Sequence, residues 1–388
     1  MAGQPCDVQL LRCFRSDFRI SMDVYADSLG DALLSLGHRV DHFVPSSRLE
    51  RFSNNRLLMR YLRYVHYPRS IASVSDESPA IQHVVDHGYA HLLPRLSAAV
   101  RVCNVHDLIP MLQWKGAIEE SLSLQQATSV NPRRARKPVL NLHSLSFLRR
   151  YDHLITISES SAIDIQKHLA IPASKISVIP PVLSPEFQPA GGSEIDRIRK
   201  KYGLAKDRKW VMLSGREFYK NHPTALAAIK QLKARTQAPI SIIKTGWQSE
   251  EFSQQLSQAG LTDCTHSVHI AKGDMAGIYS AVDCLLFPSL YEGFGMPVAE
   301  ALACGTPAVV SNRASLPEVA KPLLHGVDAF DIGAMVDALE QALFDLPFRD
   351  TIAQQGPIEM QRYAPANIGG AVSRLYRQLL DAKRASAI

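Results

Sequence analysis

Two carboxylates bracket a glycine turn in SLYEGFGMPVAEALACGTPAVVSN, residues 289–312. Glu292 precedes Gly293-Phe294-Gly295-Met296-Pro297, and Glu300 follows in the same short run. Pro297 suits the first helical position and Gly305 the position just past a helix end. The turn therefore feeds a helix N-terminus. Unbonded backbone N–H groups and the positive end of the helix dipole favour an anion there, phosphate above all. Gly293 and Gly295 allow a close approach of ligand to backbone. The pattern predicts Glu292 at a strand end and Glu300 in the first helical turn. Carboxylates accept hydrogen bonds from sugar hydroxyls, often two at once. A phosphate-favouring turn with an acid on each side fits a molecule with hydroxyls at both ends and phosphates in the middle, such as a nucleotide-sugar. A solvated loop acid followed by a dipole-stabilised helix acid would show the same Glu-x7-Glu spacing. The order of strand, Pro-Ser, acid, Gly-Phe-Gly, Pro, helix, Gly-Thr-Pro and strand is far more specific.

A second group of charges lies in SGREFYKNHP (214–223), where Arg216 and Lys220 fall between a strand and a helix. A departing pyrophosphate develops negative charge, and fixed cations stabilise it more in the transition state than in the ground state. The plain alternative is two surface cations. NVHDLIP (104–110) sets His106 and Asp107 at a strand end, where a structural hydrogen-bonding role is the competing reading. Asp86 and His87, also at a strand end, are candidate acceptor contacts, and Thr245 and Gly246 of KTGW are candidates for the nucleotide pocket.

The elements that position these residues alternate along the chain. At 388 residues, two domains are expected, each with its own core. Composition is globular, with 46% hydrophobic and 21% charged residues; a net charge of +6 permits anionic partners. No aromatic and basic interleaving of the single-strand-binding kind occurs, so nucleic acid is not expected. Six scattered cysteines form no C-x-x-C pair, which speaks against a zinc site or a disulfide framework. The N-terminal MAGQPCDVQLLRCF lacks a signal-peptide pattern, and no apolar run has the length of a membrane span. The expectation is a cytoplasmic protein, with peripheral contact at the inner face of the membrane left open.

Strands are predicted at 7–12, 38–45, 81–86, 98–107, 152–158 and 175–181, with a helix at 22–37 and a helix cap at Ser158. The Pro-, Gly- and Ser-rich 184–195 reads as a linker. A second series follows, with strands at 210–215, 239–246, 266–271, 283–289 and 307–312. Helices are expected at 223–234, 250–259, 275–281, 297–304 and 333–345, then an amphipathic segment over 366–383. The pattern is α/β: two doubly wound domains, with a cleft between them as the expected ligand site.

PSLYEGFGMPVAEALACGTPAVVSN resembles the signature of the retaining glycosyltransferases of family 4, which have the GT-B fold. GHRVDHFVP, VHDLIP, DHLITISESSAIDI, KISVIPP and SGREFYKNHPTALAAI extend the resemblance over most of the chain. It implies two Rossmann-like domains facing a central cleft. An acceptor-side domain would span 1–188 and a nucleotide-sugar-binding domain 189–365, with a helix at 366–388 packing back on the first. It implies that Glu292 contacts the donor sugar near its 3- and 4-hydroxyls and that Glu300 binds the ribose. The amides of Phe294, Gly295 and Met296 would hold sugar hydroxyls and pyrophosphate oxygens. Arg216 and Lys220 would face the leaving pyrophosphate, and His106 the sugar's 6-hydroxyl or the reacting region.

The chain departs from the family in two places. The family's Gly-Gly loop after the first strand is replaced by Ser21, Met22 and Asp23, and its Pro-x-Gly-Val-Asp by IPPVLSPEF. The activity implied is retaining transfer of a hexose, mannose or glucose, from a GDP- or UDP-sugar to a glycan or polyprenol-linked acceptor in cell-envelope polysaccharide synthesis. No metal or other cofactor is expected. The alternatives are an inactive sugar-nucleotide-binding subunit and a GT-B sugar-nucleotide epimerase. The basic stretches 131–138 and 147–150 read as a site for anionic lipid or a polyprenyl-diphosphate acceptor, or equally as a solvated loop.

Overall fold

A computed structural model describes residues 5–17, 20–52, 54–71, 79–118, 136–246 and 249–386. The chain forms two compact units, crossing from the first to the second after Val182 and returning at Tyr363.

Unit 1 is built on six parallel strands in the order β2-β1-β3-β4-β5-β6. They are β1 Asp7–Leu11, β2 Arg39–Phe43, β3 Ile81–Val84, β4 Val100–Val105, β5 His153–Thr156 and β6 Ile176–Val178. Every residue of β3 and of β5 is buried. Half of each strand is polar (IQHV and HLIT), and the buried polar groups are hydrogen-bonded: Gln82 Oε1 accepts from the Ser97 and Ala98 N–H groups, and Thr156 Oγ1 donates to the Val105 carbonyl at 2.8 Å. The helices are α1 Ile20–Ser35, α2 Arg56–Tyr61, α3 Tyr67–Ile71, α4 Ile109–Lys115, α5 Val139–Leu145 and α6 Glu159–Leu169. A π-helical turn, Leu62–His66, joins α2 to α3. Ser158 caps α6, its side chain accepting from the Ser161 N–H. Because β3 pairs with β4, the residues following these two strands emerge side by side.

Unit 2 is a second parallel sheet in the order β11-β10-β7-β8-β9. Its strands are β7 Lys209–Leu213, β8 Ile240–Thr245, β9 Thr265–Val268, β10 Cys284–Phe287 and β11 Ala308–Val310. The helices are α7 Gly192–Tyr202, α8 His222–Thr236, α9 Glu250–Ala259, α10 Met275–Ala281, α11 Met296–Ala303, α12 Leu316–Ala320, α13 Ile332–Phe344 and α14 Leu346–Met360. Helix α7 begins inside the stretch expected to be linker: Gly191 takes the N-cap position, and Ile198 is the buried residue of the helix. Val211, Leu213, Ile229, Ile242, Leu286 and Leu339 belong to one buried cluster of the unit, contributed by β7, β8, β10, α8 and α13.

The last helix, α15 Pro365–Ser386, belongs to unit 1. Gly369 lies against Ala32 of α1, so close that an added Cβ would sit 3.0 Å from the Ala32 Cβ. Ser373 bonds His38 at 2.7 Å, Tyr376 bonds His83 at 2.6 Å, and Lys383 pairs with Asp152 at 2.7 Å.

Candidate active site

The acidic turn connects β10 to α11. Its shape is set by the buried Ser315, whose hydroxyl lies 3.0 Å from the Glu292 carbonyl and 2.8 Å from that of Phe294. Gly295 adopts φ +105°, and an added Cβ would sit 2.7 Å from Leu316 Cδ2. Glycine is required there on both counts. Helix α11 starts at the next residue, with Pro297 in its first turn. Phe294 is buried beneath the turn.

Lys220 arrives from the loop after β7. Its Nζ donates to Glu292 Oε1 at 2.7 Å, with the two side chains only 12% and 11% exposed. The ammonium also sits 4.7 Å from the Phe287 ring centroid. Gly215 makes room for this side chain: a Cβ there would lie 2.5 Å from Lys220 Cε. The two loops are fastened together. The Leu290 N–H donates to the Tyr219 carbonyl at 2.7 Å, and the buried Asn221 amide donates to the Pro288 and Ala329 carbonyls at 3.2 and 2.7 Å. The mutual position of Lys220 and Glu292 is thus fixed by backbone, not by the ion pair alone.

Glu300 differs from the expectation. It lies in the second turn of α11, and the first turn holds no acid. The reason is that the helix opens at Met296, one residue before the proline. Glu300 is partly buried, and its Oε2 accepts from the Tyr279 hydroxyl of α10 at 2.7 Å. Burial pushes its carboxyl up to about 7; the Tyr279 hydrogen bond opposes this and the Glu186 charge adds to it. Tyr279 is itself held through its carbonyl, which accepts from Thr306 Oγ1 at 2.6 Å.

Arg216 extends into solvent, 69% exposed, beside Glu217 at 3.8 Å. Burial pushes the Glu217 carboxyl up, but the Arg216 N–H, its own N–H and the Lys220 and Arg216 charges bring it below the usual range. A cavity of about 400 Å³ lies here, lined by Arg216, Glu217, Phe218, Asn221, His222 and Phe252 among others. His222 is held down to about 4 by burial and by the nearby Lys244 charge. Lys244 of β8 is buried, donates to the Thr245 carbonyl at 2.8 Å and is brought down to about 8, again by burial. Thr245 ends β8, and Gly246 follows it.

The remaining candidates lie in unit 1. His106 is buried, with Nε2 2.8 Å from the Val85 carbonyl and its ring edge-on to Tyr25 at 4.8 Å. Asp107 accepts from the Ile109 N–H at 2.9 Å, at the start of α4. Asp86 is buried and accepts from the Gly88 N–H at 2.7 Å, with His87 Nδ1 3.7 Å away. These four residues sit together at the ends of β3 and β4, and each of His106, Asp107 and Asp86 makes a local structural hydrogen bond. Within unit 2, the structure brings Lys220 to Glu292 directly and leaves Arg216 on the rim of its cavity. Of the basic stretch 131–138, residues 131–135 lie outside the described residues; Arg149 donates to the Leu169 carbonyl at 2.8 Å.

Sequence reasoning missed Ser315, Tyr279, Glu217 and Lys244. Ser315 and Tyr279 act on the acidic turn and its helix from 21 or more residues away in the chain. No local spacing points to them. Lys244 carried a usable signal, since a lysine inside the apolar run ISIIKTG enters a strand whose residues are all buried.

Two parallel Rossmann-like sheets of this kind are the architecture of the GT-B fold. Sucrose-phosphate synthase from Thermosynechococcus elongatus superposes with a TM-score of 0.69 at 19% identity, covering 97% of this chain and all of that one (100%). Anabaena HepE in complex with UDP and glucose superposes at 0.67 with 13% identity, covering 95% and 99%. Residues 22–187 match the family described as Glycosyltransferase Family 4, and 194–358 match Glycosyl transferases group 1. The chain belongs to this family of glycosyltransferases. It is 25% identical over 328 residues to O-antigen chain mannosyltransferase B of Escherichia coli, covering 83% of this chain and 81% of that one.

Proposed function

We propose that the protein is a retaining hexosyltransferase that uses a nucleotide-sugar to extend a glycan or lipid-linked glycan of the cell envelope. The observation that carries this reading is the buried Lys220–Glu292 pair at the mouth of α11. A cation and an anion fastened 2.7 Å apart suit a ligand whose charged and hydroxylated parts adjoin. Glu292 takes the donor sugar's hydroxyls, while Lys220 and the exposed Arg216 take the diphosphate. The amides of Gly293, Phe294, Gly295 and Met296, at the opening of the helix, add N–H donors and the positive end of its dipole. Glu300 takes the ribose, and Thr245 and Gly246 border the nucleotide.

In the transfer step, the bond from the anomeric carbon to the diphosphate oxygen breaks. The acceptor oxygen bonds that carbon on the same face, and its proton passes to the leaving phosphate. The charge gathered on the nucleoside diphosphate is met by Lys220, Arg216 and the helix opening, which lowers the barrier without a metal ion. Glu292 and Glu300 are not a glycosidase pair, because both are assigned to the donor and neither to the acceptor. His106 serves the sugar or the reacting region, and Asp86, His87 and Asp107 remain the acceptor candidates. A GDP- or UDP-hexose is the donor class. The likeness to the O-antigen chain mannosyltransferase favours mannose as the hexose and a polysaccharide chain as the acceptor.

The test is nucleotide release from a panel of GDP- and UDP-hexoses in chelator, with and without a polyprenol-linked glycan fraction. One donor should be consumed and its anomeric configuration kept in the product. An inverted product would exclude the retaining assignment.

A further inference from the structure

A chain of buried polar side chains crosses unit 1 and ends at His106. The Tyr376 hydroxyl of α15 lies 2.6 Å from His83 Nδ1 of β3. The other nitrogen of that ring, Nε2, bonds Asn104 Oδ1 of β4. The Asn104 amide donates to the Tyr25 hydroxyl of α1 at 2.8 Å. The Tyr25 ring stands at 88° to that of His106, with centroids 4.8 Å apart. All five side chains are buried, and His83, Asn104 and Tyr376 are fully so. The strands explain the alignment. His83 pairs with Val102 in the β3–β4 register, so Asn104 and then His106 follow at two-residue steps along one face. Tyr25 spans the last step.

The chain has a fixed direction. Burial pushes the Tyr25 and Tyr376 hydroxyls up, so both keep their protons. Burial also holds His83 down to about 4; the Asn104 hydrogen bond opposes this and the His106 charge adds to it. The His83 imidazole is therefore neutral, with a single N–H. Asn104 turns its amide nitrogen to Tyr25, so its carbonyl oxygen faces His83 and can only accept. Nε2 of His83 thus carries the proton, and Nδ1 accepts from Tyr376. Every bond runs one way, from Tyr376 to Tyr25. At the far end, His106 Nε2 faces the Val85 carbonyl at 2.8 Å and must donate to it, which leaves Nδ1 for a ligand hydroxyl. Ser161 Oγ donates to the His106 carbonyl at 3.1 Å and holds its backbone. Apolar groups of the same shape would fill this space without the risk of an unmatched polar atom. What the polar set adds is a single orientation.

We propose that Tyr376, His83, Asn104 and Tyr25 are positioning residues that fix the His106 imidazole for transfer, so that the seating of α15 on unit 1 is felt at that ring. This rests on the reading of His106 as a residue of the sugar or reacting region. No proton moves along the chain; it acts by geometry.

The experiment takes the full chain with isotope-labelled histidine, reads the rings by proton–nitrogen NMR correlation, and measures steady-state transfer beside it. His83→Gln and His106→Gln assign the two rings, and both rings should show the Nε2–H tautomer. Tyr376→Phe and Tyr25→Phe each remove one oxygen and keep the ring, so the fold should persist, as urea midpoints will check. Each should move the His106 nitrogen resonances and lower kcat by roughly tenfold, with donor KM within about twofold of wild type. The double variant should be no slower than the slower single one, as expected for parts of one chain. A purely structural role would lower the urea midpoint and leave kcat and the His106 resonances where they were. With His106→Gln inactive, unmoved His106 resonances or an unchanged kcat in Tyr376→Phe would overturn the proposal. Wild-type transfer by His106→Gln would instead remove the reading of His106. The resonances would then decide alone, moved signals in Tyr376→Phe sustaining the positioning and unmoved ones overturning it.

Discussion

Removing one partner of the Lys220–Glu292 pair leaves the other charge nearly buried without its ion-pair partner. Lys220→Met or Glu292→Gln should each cost roughly 3 kcal/mol of stability, the lower end for a broken buried pair. Each should also slow transfer by about two to three orders of magnitude, through lost stabilisation of the transition state. The double variant should recover part of the stability and none of the rate, which separates chemistry from folding; urea midpoints and initial rates read the two. Glu300 carries a pH dependence. Its carboxyl sits at about 7 folded against 4.5 in its ordinary state. Between those values the folded chain holds more proton than the unfolded one, so stability falls as pH rises through that window and levels above it. Glu300→Gln should flatten this slope and raise the melting temperature at pH 8. If Glu300 binds the ribose as a carboxylate, the wild-type donor KM should rise as pH drops below about 7, and that rise should vanish in the Gln variant. The types and order of these acids were legible in the sequence. The Tyr279 hydroxyl and the burial that set the Glu300 titration were not, because α10 and α11 meet only in three dimensions.

At the scale of elements, the site depends on a turn that admits one residue type at one position. Gly295→Ala meets both the positive φ and the Leu316 side chain, and should cost about 1–3 kcal/mol. Pairing it with Leu316→Ala should relieve the clash and leave the backbone strain, so only part of the loss should return; thermal melts of the two variants decide this. Ser315→Ala removes a hydroxyl shared by two carbonyls of the turn. It should cost about 1 kcal/mol and, if the turn's amides hold the diphosphate as proposed, lower kcat more than it raises donor KM. The turn and its helix could be read because Gly, Pro and the apolar run each have a local conformational meaning. Helix α14 could not. Its inward face is Ile352, Gly356 and Met360, and Gly356 packs so tightly that an added Cβ would lie within 2.4 Å of the Leu302 carbonyl oxygen. A helix that packs through a glycine shows no apolar stripe. On α2 the reverse holds: apolar groups on the outer face blur the period.

At the scale of the whole chain, the alternation of short strand-like runs with helical ones exposed both sheets. The strand orders were not legible, because every strand of such a sheet looks alike and pairing is decided by the crossovers. The placement of α15 on unit 1 rests on side chains such as Ser373 and Tyr376, which meet partners some 300 residues earlier in the chain. Among the described residues no helix is long and apolar enough to cross a membrane. We assign Glu292 and Lys220 to a donor site that works without metal. The measurement that tests it most directly is nucleotide release from each GDP- and UDP-hexose in EDTA, with the glycan acceptor fraction, by wild type and Glu292→Gln. Release from one donor should be insensitive to chelator and lost in the variant while its fold remains. Equal release by the variant, or wild-type release abolished by EDTA and restored by a divalent cation, would contradict it.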